Sequence, residues 1–110
     1  MVLVTLSTGK NGVLNECKAN GHACFSKKGE DIVCSAVTIL LRTVLEFLSQ
    51  MENVTVIADT SSRGNLAFRV EVQKDSSVVD CQLKCMAEFI RIGIKSLSNE
   101  FPENVQLREY

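Results

Sequence analysis

The chain has 110 residues, of which 45% are hydrophobic and 23% charged, and its formal net charge is -1. A chain of this length supports one domain around a single hydrophobic core, and the composition is typical of a soluble globular protein. The near-neutral charge argues against direct nucleic-acid binding, which needs a basic surface.

The sequence has no pattern typical of export or of membrane insertion. Its first residues lack the charged region and the long apolar core of a signal peptide. The longest apolar run, residues 39–41, is far too short to span a bilayer. Five cysteines are an odd number, which does not favour a disulfide framework. We therefore expect a cytoplasmic protein without a membrane partner.

The N-terminal part of the chain has the pattern of a β-hairpin. Apolar residues alternate with others over residues 2–6, and Asn11-Gly12 is a strong signal for a tight turn. A second strand is predicted over residues 13–19. The two strands are expected to pair antiparallel, with His22 at the exit of the second.

A helix is predicted next, followed by two strands. Asp31 is expected to cap a helix that begins at Ile32, because its carboxylate can accept hydrogen bonds from the free N–H groups of the first turn. Apolar residues at helical spacing predict a buried stripe of Val33, Val37, Leu40, Val44 and Leu48. Beyond residue 50 the period changes to two, so residues 54–58 and 66–72 are predicted strands joined by a polar turn.

A second helix and a final strand complete the predicted order. Ser77 and Asp80 resemble a capping box, and one apolar face follows, made of Val79, Leu83, Met86, Ile90, Gly93 and Leu97. A glycine on that face predicts close packing by another element. Residues 104–108 are predicted to form an edge strand. The order ββαββαβ predicts one α+β domain over residues 1–110, with two helices packed on a largely antiparallel sheet.

The main candidate for chemistry is the pair His22 and Cys34. His22 is the only histidine, and it lies twelve residues before Cys34. A cysteine reacts mainly as the thiolate, which a neighbouring imidazole and the positive end of a helix both favour. Gly29 would let the intervening segment fold back. Free N–H groups at the helix start, together with the backbone of Gly21, would stabilise an oxyanion. The pattern predicts a cysteine nucleophile with a histidine base.

Other interpretations of these residues stay open. Free cysteine is commonly a small buried hydrophobe, and a Cys–His pair at this spacing has no general motif status. Asp31 would either orient His22 or cap the helix, and capping is the commoner use of Asp at a helix start. No Cys-x-x-Cys pair is present, so burial is predicted for the other cysteines rather than zinc binding, and no metal or cofactor is expected.

The segment around the pair resembles the signature of a known family. Gly21-His22-Ala23 and Asp31-Ile32-Val33-Cys34-Ser35-Ala36-Val37 are similar to the matching segments of the bacterial ribosomal-processing cysteine proteases, the Prp or YsxB-like family. Length and element order are similar too, so the resemblance covers essentially the whole chain. It implies that His22 and Cys34 form a catalytic dyad. Thr38 would keep a hydroxyl one turn after Cys34, where the family usually has serine.

The resemblance also implies a substrate and an assembly. The substrate would be the N-terminal extension of a large-subunit ribosomal protein, L twenty-seven, which is removed before that protein works in the ribosome. The enzyme would be a homodimer, with a loop over residues 23–30 that orders when substrate binds. Two alternatives remain: a non-enzymatic ribosome-associated assembly module with Cys34 buried, and a redox sensor in which Cys24 resolves an oxidised Cys34.

Overall fold

The described part of the chain folds into two α-helices and one five-stranded sheet. The structure is a computed structural model that describes residues 1–21, 28–60 and 65–110, with only the backbone described at 28–31. The elements are β1 Val2–Thr8, β2 Leu14–Asn20, α1 Lys28–Ser49, β3 Val54–Asp59, β4 Asn65–Val72, α2 Ser77–Glu100 and β5 Val105–Glu109. This order confirms the predicted ββαββαβ arrangement.

The sheet has the strand order β3-β4-β2-β1-β5. Three of its pairings are antiparallel, and only the pairing of β5 with β1 is parallel, so the largely antiparallel sheet is confirmed. The β1–β2 turn is where the sequence predicted it. Asn11 and Gly12 have φ values of 63° and 78°, the left-handed region that this residue pair adopts with little strain.

The core lies between one face of the sheet and the two helices. Alternate strand residues are buried, as in Val2, Val4 and Leu6 of β1, because successive side chains of a strand point to opposite faces. α1 packs against β3, whereas α2 packs against β1, β2 and β5. The buried helix residues are Val33, Val37, Leu41, Val44 and Leu48 of α1, and Val79, Leu83, Ala87, Ile90 and Ile94 of α2.

α1 is apolar on more than its buried stripe. The stretch Ile32–Ser49 has a mean hydropathy of 1.8, which by length and composition alone would suffice for a membrane span. The core helix of a globular domain passes the same test. Here the helix packs five residues into the core and carries Arg42 and Glu46 on its exposed side, so we assign it to the helical layer that covers the sheet.

Three local predictions are wrong. α1 begins at Lys28, not at Ile32, so Asp31 is its fourth residue and cannot be its N-cap. α2 is capped by Ser76, whose hydroxyl accepts a hydrogen bond of 3.1 Å from the N–H of Val79, so Ser77 is not the capping residue. In α1 the residue buried between Val37 and Val44 is Leu41 and not Leu40.

Leu40 instead contacts α2, at the glycine where the sequence predicted the close approach of another element. It is only half-buried and lies against Gly93 of α2, where a Cβ atom would collide with its side chain. The prediction that Gly93 marks a close approach of another element is therefore confirmed. The absent side chain lets the two helices lie close together on the sheet.

Candidate active site

A cleft of about 580 Å³ lies beside α1 at one end of the sheet. β2 and β3 finish at this end, and β1 and β4 begin there, so four strands contribute to its wall. It is lined by Val2, Ala19, Gly21, Cys34, Val37, Thr38, Arg42, Leu45, Glu46, Thr60, Asn65 and Leu66. Binding pockets are commonly concave and mostly apolar with a few polar groups, and this cleft has that character.

Cys34 lies in the wall of this cleft. The thiol is half-buried, and it also borders a shallower depression of about 300 Å³ formed by Ser35, Thr38, Ile39 and Arg42. Cys34 therefore has access to space on the protein surface. This exposure does not fit the alternative in which the domain holds a buried structural Cys34.

The position of Cys34 within α1 differs from the prediction. It is the seventh residue of a helix that begins at Lys28, so it lies in the second turn and not in the first. The unpaired N–H groups of a helix belong to its first four residues, and the influence of the dipole falls off within the first turn. The free N–H groups of the first turn thus lie one turn before Cys34. Gly29 is the second helical residue and not a loop residue.

Gly21 directly follows β2 in the cleft wall, with a φ value of 94° that residues with a side chain rarely adopt. A Cβ atom at this position would collide with the backbone carbonyl oxygen of Met1. The glycine therefore allows the end of β2 to lie directly against the start of β1. The residue that follows it in sequence is His22.

Several predicted site residues lie outside the described part of the chain. His22 and Cys24 are not among the described residues, and neither is the side chain of Asp31. The dyad, the choice between dyad and triad, and the redox role of Cys24 therefore stay predictions. Of the predicted loop over residues 23–30, residues 28–30 belong to α1.

The structure adds residues to the site that the sequence reasoning missed. Arg42, Leu45 and Glu46 line the cleft together with Cys34 and Thr38. The signal was available in the spacing, because residues four and eight positions after Cys34 lie on the same side of a helix. Only contact with the strand ends shows that this side of α1 faces a cleft.

The other described cysteines have two different environments. Cys17 is fully buried in the core, and burial, followed by the nearby charge of Glu16, raises the pKa of its thiol to about 12. Cys81 and Cys85 are exposed on α2, so the prediction that they are buried is wrong. Within residues 1–21, 28–60 and 65–110, no group of three His, Cys, Asp or Glu side chains is arranged to hold a metal ion.

The fold and the site define a small α+β protein with an accessible thiol in the wall of a surface cleft, the arrangement that a cysteine hydrolase requires. Comparison with protein families makes the assignment specific. The family model described as cysteine protease Prp matches residues 1–106. The chain therefore belongs to the family of ribosomal-processing cysteine proteases named Prp, and it is a cysteine-type peptidase by that membership.

Solved structures share the fold over the full chain. The essential ribosomal processing protease Prp from S. aureus, in complex with a substrate peptide, has a TM-score of 0.80 at 15% identity, with 100% of both chains covered. The same protease with a covalently linked product peptide has a TM-score of 0.75 at 19% identity, again with 100% of both chains covered.

A streptococcal protein is also similar. SMU.848 from Streptococcus mutans has a TM-score of 0.77 at 25% identity, covering 99% of this chain and 93% of its own. No curated protein matches the chain by sequence. The likeness of the solved structures supports the fold, whereas the family assignment comes from the family model.

Proposed function

We propose that this protein removes the N-terminal extension of ribosomal protein L twenty-seven with a Cys34–His22 dyad. The observation that carries the proposal is the half-buried thiol of Cys34 in the wall of a cleft of about 580 Å³. Gly21, the residue before His22, lines the same cleft. Membership of the Prp family supplies the cysteine-protease chemistry.

The proposed reaction is acyl transfer through a thioester. The Cys34 sulfur attacks the scissile carbonyl carbon, while His22 accepts the thiol proton and later donates it to the leaving amine. Water then hydrolyses the thioester and regenerates the thiol. The backbone N–H of Gly21 is our candidate donor to the oxyanion, because Gly21 lines the cleft that contains Cys34. Thr38 lines the cleft one turn after Cys34 and is our candidate for positioning the thiol.

A peptide is the substrate class that suits this site. Structures of the S. aureus protease contain a substrate peptide and a covalently linked product peptide, and the present chain shares their fold. We propose an extended segment of the ribosomal protein with apolar residues before the cut, because Val2, Val37 and Leu66 supply apolar cleft wall. Cleavage would take place in the cytoplasm during ribosome maturation.

We also propose that the enzyme is a homodimer. Large apolar side chains on the outer sides of the helices support this, since Ile39 and Ile92 are each 66% exposed and Phe89 is 46% exposed. Where such side chains form a contiguous patch, they commonly mark a protein interface. Light scattering coupled to size-exclusion chromatography should give about twice the mass of the 12.1 kDa chain, whereas a monomer mass at micromolar concentration would contradict the proposal.

The cleavage assay is the direct test. The parent protein should cut a peptide that spans the extension and mature start of its own organism's L twenty-seven. Cys34→Ala and His22→Ala should each reduce kcat/KM by about a thousandfold or more, because residues that act as one unit fail together. Cys85→Ala, an exposed thiol on α2, is the matched control and should cleave like the parent. Unchanged cleavage by either dyad variant would reject the assignment.

Asp31 can be tested in the same assay. Because α1 begins at Lys28, Asp31 is not the N-cap, and orientation of the His22 imidazole is the other role that the sequence left open. If Asp31 has that role, Asp31→Asn should lower kcat with a smaller effect on KM, which would extend the dyad to a triad; an unchanged kcat would leave the Cys34–His22 dyad.

Alkylation separates the proposal from the assembly-module alternative. A Cys24→Ser/Cys81→Ser/Cys85→Ser background leaves only Cys34 and the buried Cys17. One equivalent of iodoacetamide should then react at pH 7 without denaturant, and His22→Ala should slow this reaction. Reaction of Cys34 only on unfolding would favour the non-enzymatic module.

A further inference from the structure

Arg42 is the one cationic side chain among the described residues of the cleft wall. It is exposed, and it borders both the main cleft and the shallower depression beside Cys34. Cys34, Thr38 and Arg42 follow one another at four-residue spacing, which places them in one row along α1. The guanidinium is thus carried on the same rigid helix as the thiol.

Arg42 has no carboxylate partner within the described part of the chain, unlike two other arginines. Arg91 pairs with Glu88 and Glu109, and Arg69 pairs with Glu71. Glu46 follows Arg42 by one turn, but the two side chains are not within ion-pair distance. This order, with the base before the acid, is the weaker one for a helical pair, worth only a few tenths of a kcal/mol. The guanidinium is therefore available to a ligand.

The distance from the thiol decides which part of a substrate Arg42 would meet. Eight residues of helix span about 12 Å along the axis. An extended peptide advances about 3.3 Å per residue, so 12 Å corresponds to three or four substrate residues. A peptide whose scissile carbonyl lies at Cys34, and which runs along α1 in the cleft, would bring such a residue to Arg42.

We propose that Arg42 determines substrate specificity by binding an acidic side chain three or four residues from the scissile bond. The guanidinium presents planar, paired N–H donors that match a carboxylate, and it stays charged at any relevant pH. The inference rests on the proposed function, because it places the peptide in the cleft beside Cys34. It adds a charge preference that the cysteine-protease chemistry does not require.

The test is a panel of peptides based on the L twenty-seven cleavage segment of the same organism. Each peptide carries Asp, Asn or Lys at one position, three or four residues before or after the cut. At one of these positions the parent should prefer Asp over Lys by about five- to tenfold in kcat/KM, since an exposed ion pair and its like-charge counterpart differ by about 1 kcal/mol or slightly more. The preference should appear mainly in KM and should weaken in 0.5 M salt.

Variants test whether the preference for Asp over Lys peptides depends on the Arg42 side chain. Arg42→Gln should remove the difference between Asp and Lys peptides, and Arg42→Glu should reverse it. Arg108→Gln, which changes an exposed arginine on β5 that is not part of the cleft, should keep the parent preference. Reversal by Arg42→Glu is a result that general destabilisation cannot produce.

Two outcomes would overturn the inference, and each differs from failure of the proposed function. Cleavage of every peptide with less than a twofold difference between Asp and Lys would show that Arg42 selects no charge. If the preference for Asp over Lys persisted in Arg42→Gln, another residue would have to be its source. Failure of the proposed function would instead appear as no cleavage of any peptide by the parent protein.

Discussion

The two helices have similar lengths and cover the same face of the sheet, but they differ in how much of their surface packs against the strands. α2, with 24 residues, packs against β1, β2 and β5, begins at a serine cap, and is tied to β5 by the pair Arg91–Glu109. α1, with 22 residues, packs against β3 and leaves Cys34, Thr38 and Arg42 facing a cleft.

This difference shows how a small domain with one core can hold a reactive site. A side chain in close-packed surroundings is satisfied and inert, as the buried thiol of Cys17 illustrates. The second helix supports the sheet, so the first can leave part of its length without contacts. We expect changes in α2 to affect stability and changes on the cleft side of α1 to affect activity.

The largest effect on stability is expected in the core side of α2. Ile90 is fully buried, so Ile90→Ala should lower the free energy of unfolding by about 2–5 kcal/mol, through lost burial and the cavity left behind. Lys84→Ala, at an exposed residue of the same helix that is not among the side chains named for the dimer, is the control and should change it by less than about 0.5 kcal/mol. Urea unfolding measures both, and equal losses would contradict the assignment of the two faces.

The contact between the helices can be tested by a double-mutant cycle. A methyl group at Gly93 would collide with Leu40, so Gly93→Ala should be less favourable in the parent than in a Leu40→Ala background. The coupling should be about 1 kcal/mol, as for other residues in direct contact. Additive effects in urea unfolding would mean that Leu40 moves aside freely and that the helices are not locked at this point.

The start of α2 should show a smaller effect. Ser76→Ala should cost about 1 kcal/mol of unfolding free energy, because the N–H of Val79 loses its side-chain acceptor. Ser77→Ala is the control, since Ser77 is the first helical residue and not the cap. If Ser77→Ala were the more damaging change in urea unfolding, the cap assignment would be wrong.

The smallest effect is expected from the carboxyl groups at the start of α2. A hydrogen bond with the Asp75 side chain, then partial burial and the Asp75 charge, raises the pKa of Asp80. A raised native pKa means that this contribution to stability is present at low pH and is lost as pH rises through the native value. In NMR titrations, Asp75→Asn should lower the pKa of Asp80, and Gln73→Ala should not. An unchanged Asp80 midpoint in Asp75→Asn would contradict the pairing.

Local sequence patterns predicted most of the fold. Alternation in β1, the Asn11-Gly12 turn and the apolar stripes of both helices depend on near neighbours, and these predicted the order of elements and the one-sided core correctly. The exact start of α1 was not predictable in this way. The capping pattern at Asp31 favoured a start at Ile32, but the helix continues four residues further towards the N-terminus.

For the candidate site, too, the sequence determined one part and the tertiary structure decided the other. The sequence by itself determined that Cys34 follows the only histidine by twelve residues and that the segment has the Prp signature. Only the tertiary structure decided that Cys34 faces a cleft and that Arg42 shares it. The physical reason is that the cleft is built from four strand ends and one helix that are distant in sequence. The hydrophobic periodicity of a sequence predicts which side of a helix is apolar, but it does not predict which elements face the polar side.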